Sequence, residues 1–362
     1  MKSPEALADS LARRTREGEL FVRLPEQRVR CVACGHRCLI PPGREGICRV
    51  RFNHEGALRV PTGYVAGLAL DPVEKKPFYH VLPGSSALSF GMLGCDLHCA
   101  YCQNWVTSQA LRDPAAGSGI RELTAAAIVE AAVEHGAGLV TSTYNEPLIT
   151  AEWAAEVFRL TKARGLLSSF VSNGNGTPEV LDYLDGLVQC FKVDLKCFDN
   201  KRYRQLGGTL EAVLATIRSL HNRGVWVEVV TLVVPGFSDD AVELTELARF
   251  LVSVSPDIPW HVTAFHSDYR MADVRSTAGT SLLRAAEIGR SEGLRYVYAG
   301  NLPGAVGAWE DTFCPSCGSV LVERRGFRVL GNRLVDGACP DCGLEIPGIW
   351  TAPAAPPTSR PA

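Results

Sequence analysis

Eleven of the 13 cysteines in this 362-residue chain crowd into three short stretches: Cys31, Cys34, Cys38 and Cys48; Cys95, Cys99 and Cys102; and Cys314, Cys317, Cys339 and Cys342. The N-terminal stretch MKSPEALADSLARRTREGEL lacks the apolar core of a secretory signal, and no such core follows Arg13-Arg14. A cytoplasmic location is therefore expected. Thiols in a reducing compartment seldom form structural disulfides, so clustered cysteines point to metal. Cys190 and Cys197 lie outside the clusters and read as core packing. No apolar run approaches the roughly 20 residues a membrane span needs, and a net charge of -2 gives no bias towards nucleic acid.

The stretches between the clusters follow two rhythms. Residues 1–85 carry turn formers around their cysteines (CGHRC, PPGREGIC, FNHEG) and read as a small metal-binding, β-rich segment after a short helix. Over 86–306, apolar strands (ALSFGML, GLVTSTY, LLSSFVS, CFKVDL, VWVEVVTLVV, PWHVTAF, LRYVYAG) alternate with amphipathic helices such as ITAEWAAEVFRLTKARG and TLEAVLATIRSLHNRG. That alternation predicts a parallel sheet. Six or seven β/α repeats predict an α/β fold with a partial TIM-type barrel. Residues 307–350 form a compact cysteine module resembling a zinc ribbon, and the Pro/Ala-rich 351–362 reads as a disordered tail.

The central cluster, GMLGCDLHCAYCQNW, spaces its thiols Cys-x3-Cys-x2-Cys directly after the first barrel strand. A cubane [4Fe–4S] cluster takes four thiolates; three leave one iron open, and S-adenosylmethionine (SAM) can chelate it. An electron from the reduced cluster then breaks the sulfonium C–S bond, giving methionine and a 5′-deoxyadenosyl radical that abstracts hydrogen from a substrate. Tyr101, just before the last thiol, is placed to pack on an adenine. The same spacing also suits a zinc knuckle, or a ferredoxin-like cluster with its fourth ligand elsewhere.

Barrel enzymes carry functional groups at the carboxyl ends of their strands. Those ends here hold Tyr144-Asn145-Glu146-Pro147, Ser172-Asn173-Gly174, Asp194-Leu195-Lys196, and His266 with Asp268. Taken singly, each also reads as a solvated loop end or a helix cap. Trp105, Trp153, Trp226 and Trp260 read as packing residues, and Lys75-Lys76 as a solvated or docking segment.

The outer clusters differ from the central one. Cys314-x2-Cys317 and Cys339-x2-Cys342, 21 residues apart and each followed by Gly, suit a closed tetrahedral zinc, with rubredoxin-type iron as the alternative. A structural or docking role fits the near-neutral charge better than nucleic-acid binding. Cys31-x2-Cys34-x3-Cys38-x9-Cys48 can hold zinc, the preferred reading, or a second iron–sulfur cluster feeding electrons to the first. His36 can substitute for one ligand.

Across nearly the whole chain the motifs CVACGHRCLIPPGREGICRVR, DPVEKKPFYHVLPG, GCDLHCAYCQNW, TYNEP, VSNG, KVDLK, PWHVTAFH, YVYAGN and the paired CPxCG resemble the radical SAM superfamily. Within it they resemble the pyruvate formate-lyase activating enzyme branch, and more closely the AmmeMemoRadiSam system radical SAM enzyme family. The resemblance implies that Glu146, with Asn145 beside it, receives the SAM ammonium. It also implies that Ser172, Asn173 and Asp194 bind cofactor, that Lys196 belongs to the D-x-K element, and that His266 is the late barrel histidine. Expected partners are a protein substrate, Memo-like and AMMECR-type proteins, and an electron donor such as flavodoxin or ferredoxin. Val171 and Val230 stand where the activating enzyme has Asp and Arg. The competing readings are a non-catalytic iron–sulfur electron relay and a zinc-ribbon adaptor on a degenerate barrel.

Overall fold

The computed structural model of the chain describes residues 4–352. All but the first two residues of the expected tail lie outside the described residues. The core is one eight-stranded sheet whose strands we number in chain order: β1 (Gly67–Pro72), β2 (Ser86–Gly91), β3 (Leu139–Ser142), β4 (Leu167–Ser172), β5 (Cys190–Asp194), β6 (Trp226–Val233), β7 (Trp260–Ala264) and β8 (Val297–Gly300). Spatial order follows chain order. Strands β2 to β8 run parallel, and β1 joins antiparallel to β2. The outermost strands β1 and β8 each pair with one neighbour, so the sheet is open.

Helices α1 (Ala125–Glu134), α2 (Ala151–Ala163), α3 (Pro178–Tyr183), α4 (Leu210–Asn222), α5 (Ala241–Val254) and α6 (Gly279–Ser291) fill the crossovers. Three of them start at a side-chain cap. Thr124 and Thr177 accept the Ala127 and Val180 amides, and Asp240 accepts those of Val242 and Glu243. Pro178 follows its cap at the first helical position, where a missing N–H costs nothing. With helices covering the sheet, strands such as β7 are buried at every residue, which accounts for their unbroken apolar runs.

The seven expected strands are all parallel strands of the sheet. The boundary expected at residue 85 falls inside it, because β1 pairs with β2 along its whole length. Before β1 lie a helix (Pro4–Ala12) and two three-stranded antiparallel sheets that carry the first cysteines.

The C-terminal segment makes a three-stranded antiparallel sheet (Thr312–Phe313, Val320–Arg325, Arg328–Asn332) and docks below the core sheet. There the buried Glu228 carboxylate accepts the Tyr79 and His80 amides, Trp226 Nε1 (3.0 Å) and His261 Nε2 (2.6 Å). Arg324 donates to Thr312 Oγ1 and to the Tyr79 carbonyl, each at 2.7 Å. No helix among the described residues is long and apolar enough to cross a membrane.

Candidate functional site

The loop after β2 carries Cys95, Cys99 and Cys102 to the carboxyl end of the sheet, where all three thiols line a cavity of about 380 Å³. Its wall also includes Tyr101, Asn145, Glu146, Ser172, Asn173, Asp194 and Lys196. The structure thus gathers into one cavity every expected cofactor-binding residue and one of the two expected catalytic ones. Among the described residues lining it there is no fourth cysteine.

His266 is the exception. Strand β7 ends at Ala264, and the chain then turns outward, leaving His266 exposed and outside the cavity lining. Asp268 instead accepts the Trp105 indole N–H at 3.3 Å, and Tyr269 stacks on Trp105 with centroids 5.0 Å apart. Trp105 therefore fastens this loop to the cysteine loop and is not a core residue, whereas Trp153 and Trp260 are buried.

The polar wall is built by period-two geometry and by loop hydrogen bonds. Lys192 and Asp194 share one face of β5. Asp194 takes Lys192 on one oxygen and Lys196 Nζ on the other, the latter at 2.9 Å. Burial raises the Asp194 pKa, but the two ammonium groups outweigh it and pull the carboxyl down to about 2. Lys192 was not singled out from the sequence, although it lies two residues before Asp194 and so had to face the same way.

Glu146 accepts Ser172 Oγ (2.6 Å), the Asn173 amide (2.8 Å) and the Leu148 amide (3.0 Å). Burial, then the charge of Asp96, pushes its carboxyl up to about 8. Asn145 spends its side chain on the scaffold, accepting the Met92 amide and donating to the Glu146 carbonyl. Asp96, which sequence reasoning passed over, accepts Asn173 Nδ2 (2.7 Å) and Asn175 Nδ2 (2.8 Å), and so fixes the cysteine loop to the end of β4.

Lys76 corrects the expectation of a solvated segment. It is 4% exposed, lies 2.9 Å from Asp71 Oδ2 and 3.2 Å from Tyr144 Oη, and lines the cavity with Lys75. Cys190 and Cys197 are buried among apolar side chains, as expected.

The donor set fits an iron–sulfur cluster. Burial holds all three thiols above the ordinary range, Cys99 at about 12, while the Lys196 charge works the other way on Cys99 and Cys102. Deprotonating three such thiols side by side needs a cationic centre between them. Ser108 Oγ lies 3.2 Å from Cys102 Sγ, and the Leu97 amide donates to Cys95 Sγ at 3.3 Å, the outer hydrogen bonds that steady thiolate ligands. The Tyr101 hydroxyl, buried on the same wall, has no hydrogen-bond partner among the described residues.

At the other end of the chain, the four sulfurs of Cys314, Cys317, Cys339 and Cys342 lie within 4.8 Å of one another. Gly318 and Gly343, at φ +75° and +76°, make the tight turns after each pair, so this group can hold a metal ion. The Nε2 of His36 donates to the Asp96 carbonyl at 3.1 Å, which leaves its Nδ1 as the one ring nitrogen able to ligate.

This chain belongs to the radical SAM superfamily, whose family model matches residues 91–248. An uncharacterized protein of Methanocaldococcus jannaschii is 34% identical over 335 residues, spanning 91% of this chain and 98% of that one. The pyruvate formate-lyase 1-activating enzyme of Escherichia coli is 26% identical over 230 residues, 60% of this chain and 90% of the enzyme. Among solved structures, Streptococcus suis SuiB bound to precursor peptide SuiA overlaps with a TM-score of 0.49 at 14% identity, covering 66% of this chain and 53% of SuiB.

Proposed function

We propose that this radical SAM enzyme binds a [4Fe–4S] cluster through Cys95, Cys99 and Cys102, reductively cleaves SAM and directs the resulting radical to a protein substrate. The observation that carries the reading is the cavity itself: three thiols, with no fourth cysteine, face a polar wall built from the ends of consecutive parallel strands, read as a partial β/α barrel. When bound there, the cluster supplies the electron that breaks SAM into methionine and a 5′-deoxyadenosyl radical.

The chain's own residues position and shield. Glu146, with one lone pair left beyond its three donors, receives the ammonium of SAM beside Ser172 and Asn173, a cation that draws its raised carboxyl back to the charged form. Tyr101 borders the adenine. Lys196, held charged by Asp194 against its burial, presents a fixed cation to a carboxylate. Trp105 and Tyr269 cover the cysteine loop and keep water out.

A protein substrate is favoured by the likeness to pyruvate formate-lyase-activating enzymes and by a mouth edged with Lys75, Pro77 and Phe327, the last from the C-terminal module. Val171 and Val230 both line the cavity; Val171 replaces the Asp of the activating enzyme's cation site, and Val230, in place of its Arg, argues against a shared substrate. Memo-like and AMMECR-type proteins are the first substrates to test. We place the enzyme in the cytoplasm, with flavodoxin or ferredoxin as reductant, zinc on the C-terminal cysteines, and activase-like oxidoreductase chemistry.

The test is 5′-deoxyadenosine formation by anaerobically reconstituted protein with SAM and dithionite, beside a Cys95→Ala, Cys99→Ala, Cys102→Ala variant. Product from the wild type alone, or a SAM-dependent change in the reduced cluster's EPR signal where turnover awaits substrate, supports the reading. A reduced cluster that neither cleaves SAM nor responds to it moves the assignment to an electron relay.

A further inference from the structure

We propose that Cys31, Cys34, Cys38 and Cys48 hold a second iron–sulfur cluster of the four-iron kind, not the zinc ion that their sequence spacing allows. This inference concerns a separate site and does not depend on SAM cleavage.

The spacing of the sulfurs separates the two kinds of centre within this molecule. One zinc ion with bonds of about 2.3 Å draws four sulfurs into a small tetrahedron. The C-terminal set has that form: Cys314 Sγ and Cys342 Sγ are 3.5 Å apart, and Cys317 Sγ and Cys339 Sγ 3.6 Å. It is the one set among the described residues in which three or more such ligand atoms converge within 4.8 Å.

The N-terminal thiols nevertheless share one neighbourhood. The Cys31 amide donates to the Cys38 carbonyl at 3.0 Å. Cys38 Sγ would lie 3.6 Å from a Cβ placed on Gly46, two residues before Cys48, and the Gly46 carbonyl accepts the Arg49 amide at 2.9 Å, which folds the Cys48 turn back over Cys38. Four thiols grouped yet held apart suit a body larger than one ion, with a ligand at each corner.

A buried cation with a spare donor lies in the same segment. Arg51 is 1% exposed. Its terminal nitrogens are committed to Glu152 and the Ile149 carbonyl, while its Nε is buried without a partner among the described residues. Arg51 follows Cys48 by three residues, and its carbonyl accepts the amide of Gly46, the residue packed against Cys38 Sγ, at 2.8 Å. A fixed positive charge offering one N–H suits an anionic cluster, whose sulfurs accept hydrogen bonds.

The site also abuts the first one. The Gly35 amide donates to the Asn175 carbonyl at 2.9 Å, and a Cβ at Gly35 would sit 2.2 Å from Asn175 Oδ1, so the Cys34 loop lies directly on the segment that anchors Asp96 and, through it, Cys95.

The test is metal analysis of the full-length chain reconstituted anaerobically with iron and sulfide. The wild type should hold about eight irons and the Cys95→Ala, Cys99→Ala, Cys102→Ala variant about four, with matching acid-labile sulfide and a reduced-cluster EPR signal that SAM leaves unchanged. A Cys31→Ser, Cys34→Ser variant should lose about four irons and keep the SAM-responsive signal. An iron-free triple variant with about two zincs per chain overturns the proposal, and so does a triple variant holding only about two irons. Should the Cys31, Cys34 variant fail to fold, the triple variant alone decides. A wild type whose reduced signal ignores SAM, beside a triple variant that still holds about four irons, would count against the first site and leave the second standing.

Discussion

Arg51 and Glu152 meet in a two-pronged pair, each N–O distance 2.7 Å and each side chain 1% exposed. It locks the N-terminal cysteine segment to the first turn of α2, and the same carboxylate accepts the Leu20 amide at 3.3 Å.

Removing one member leaves the other charged and buried, which costs about 3–5 kcal/mol. We expect Glu152→Ala and Arg51→Ala each to destabilise by that amount in denaturant titration, and the double variant by clearly less than their sum. Additive losses would show that the pair does not act as a unit.

Asp194 is the hinge of the cavity's charge balance, because it alone bonds both Lys192 and Lys196. Asp194→Asn leaves two ammonium groups side by side and frees Lys196 to swing. We expect unchanged iron content and a fall in 5′-deoxyadenosine formation on the order of 10²-fold, the usual effect of misplacing a positioning group. Activity within about twofold of wild type would remove Asp194 from the site.

The C-terminal cysteines and the core sheet should come apart in stages. Cys317→Ser with Cys342→Ser breaks the sulfur tetrahedron at its two exposed corners. The expected result is loss of about one zinc per chain and faster amide exchange in Val320–Arg325, with β5 unchanged. Arg324, bonded to Thr312 and Tyr79, should keep the module seated. Faster exchange across β5 as well would mean that the metal holds the core too.

Long elements were legible in the sequence because period and length reinforce each other: all seven parallel strands announced themselves as apolar runs between helical stretches. Short ones were not. Helix α3 and the turn-and-a-half Asn200–Gln205 are six residues each, too brief for a 3.6-residue rhythm, and β1 was read as part of a turn-rich leader because half-exposed residues blur its alternation. In the site, residues at strand ends were legible from the fold rule alone. Asp96 was not, since its role comes from Asn173 and Asn175, nearly eighty residues away. His266 was placed too generously, because β7 stops two residues before it.

His80 predicts a pH dependence of stability. Its ring bridges the core sheet and the C-terminal module: Nδ1 lies 2.7 Å from the Pro347 carbonyl, which can only accept, and Nε2 lies 2.7 Å from Tyr298 Oη. A neutral ring therefore donates through Nδ1 and accepts the Tyr298 proton at Nε2. Tyr298 in turn accepts from Thr312, which accepts from Arg324. Protonating His80 turns Nε2 into a donor and reverses that chain against a fixed guanidinium. Burial lowers the ring's pKa to about 4, so between the ordinary histidine value of about 6.5 and 4 the unfolded chain binds one more proton than the folded one. The stability His80 contributes is therefore complete above pH 6.5 and is lost as pH falls towards 4, up to about 3 kcal/mol. In His80→Gln, which keeps a donor and an acceptor but does not titrate, denaturant midpoints measured from pH 7 to 4.5 should fall less steeply than in the wild type, by nearly one proton. Parallel curves for the two proteins would show that His80 is charged in the folded state or freely solvated.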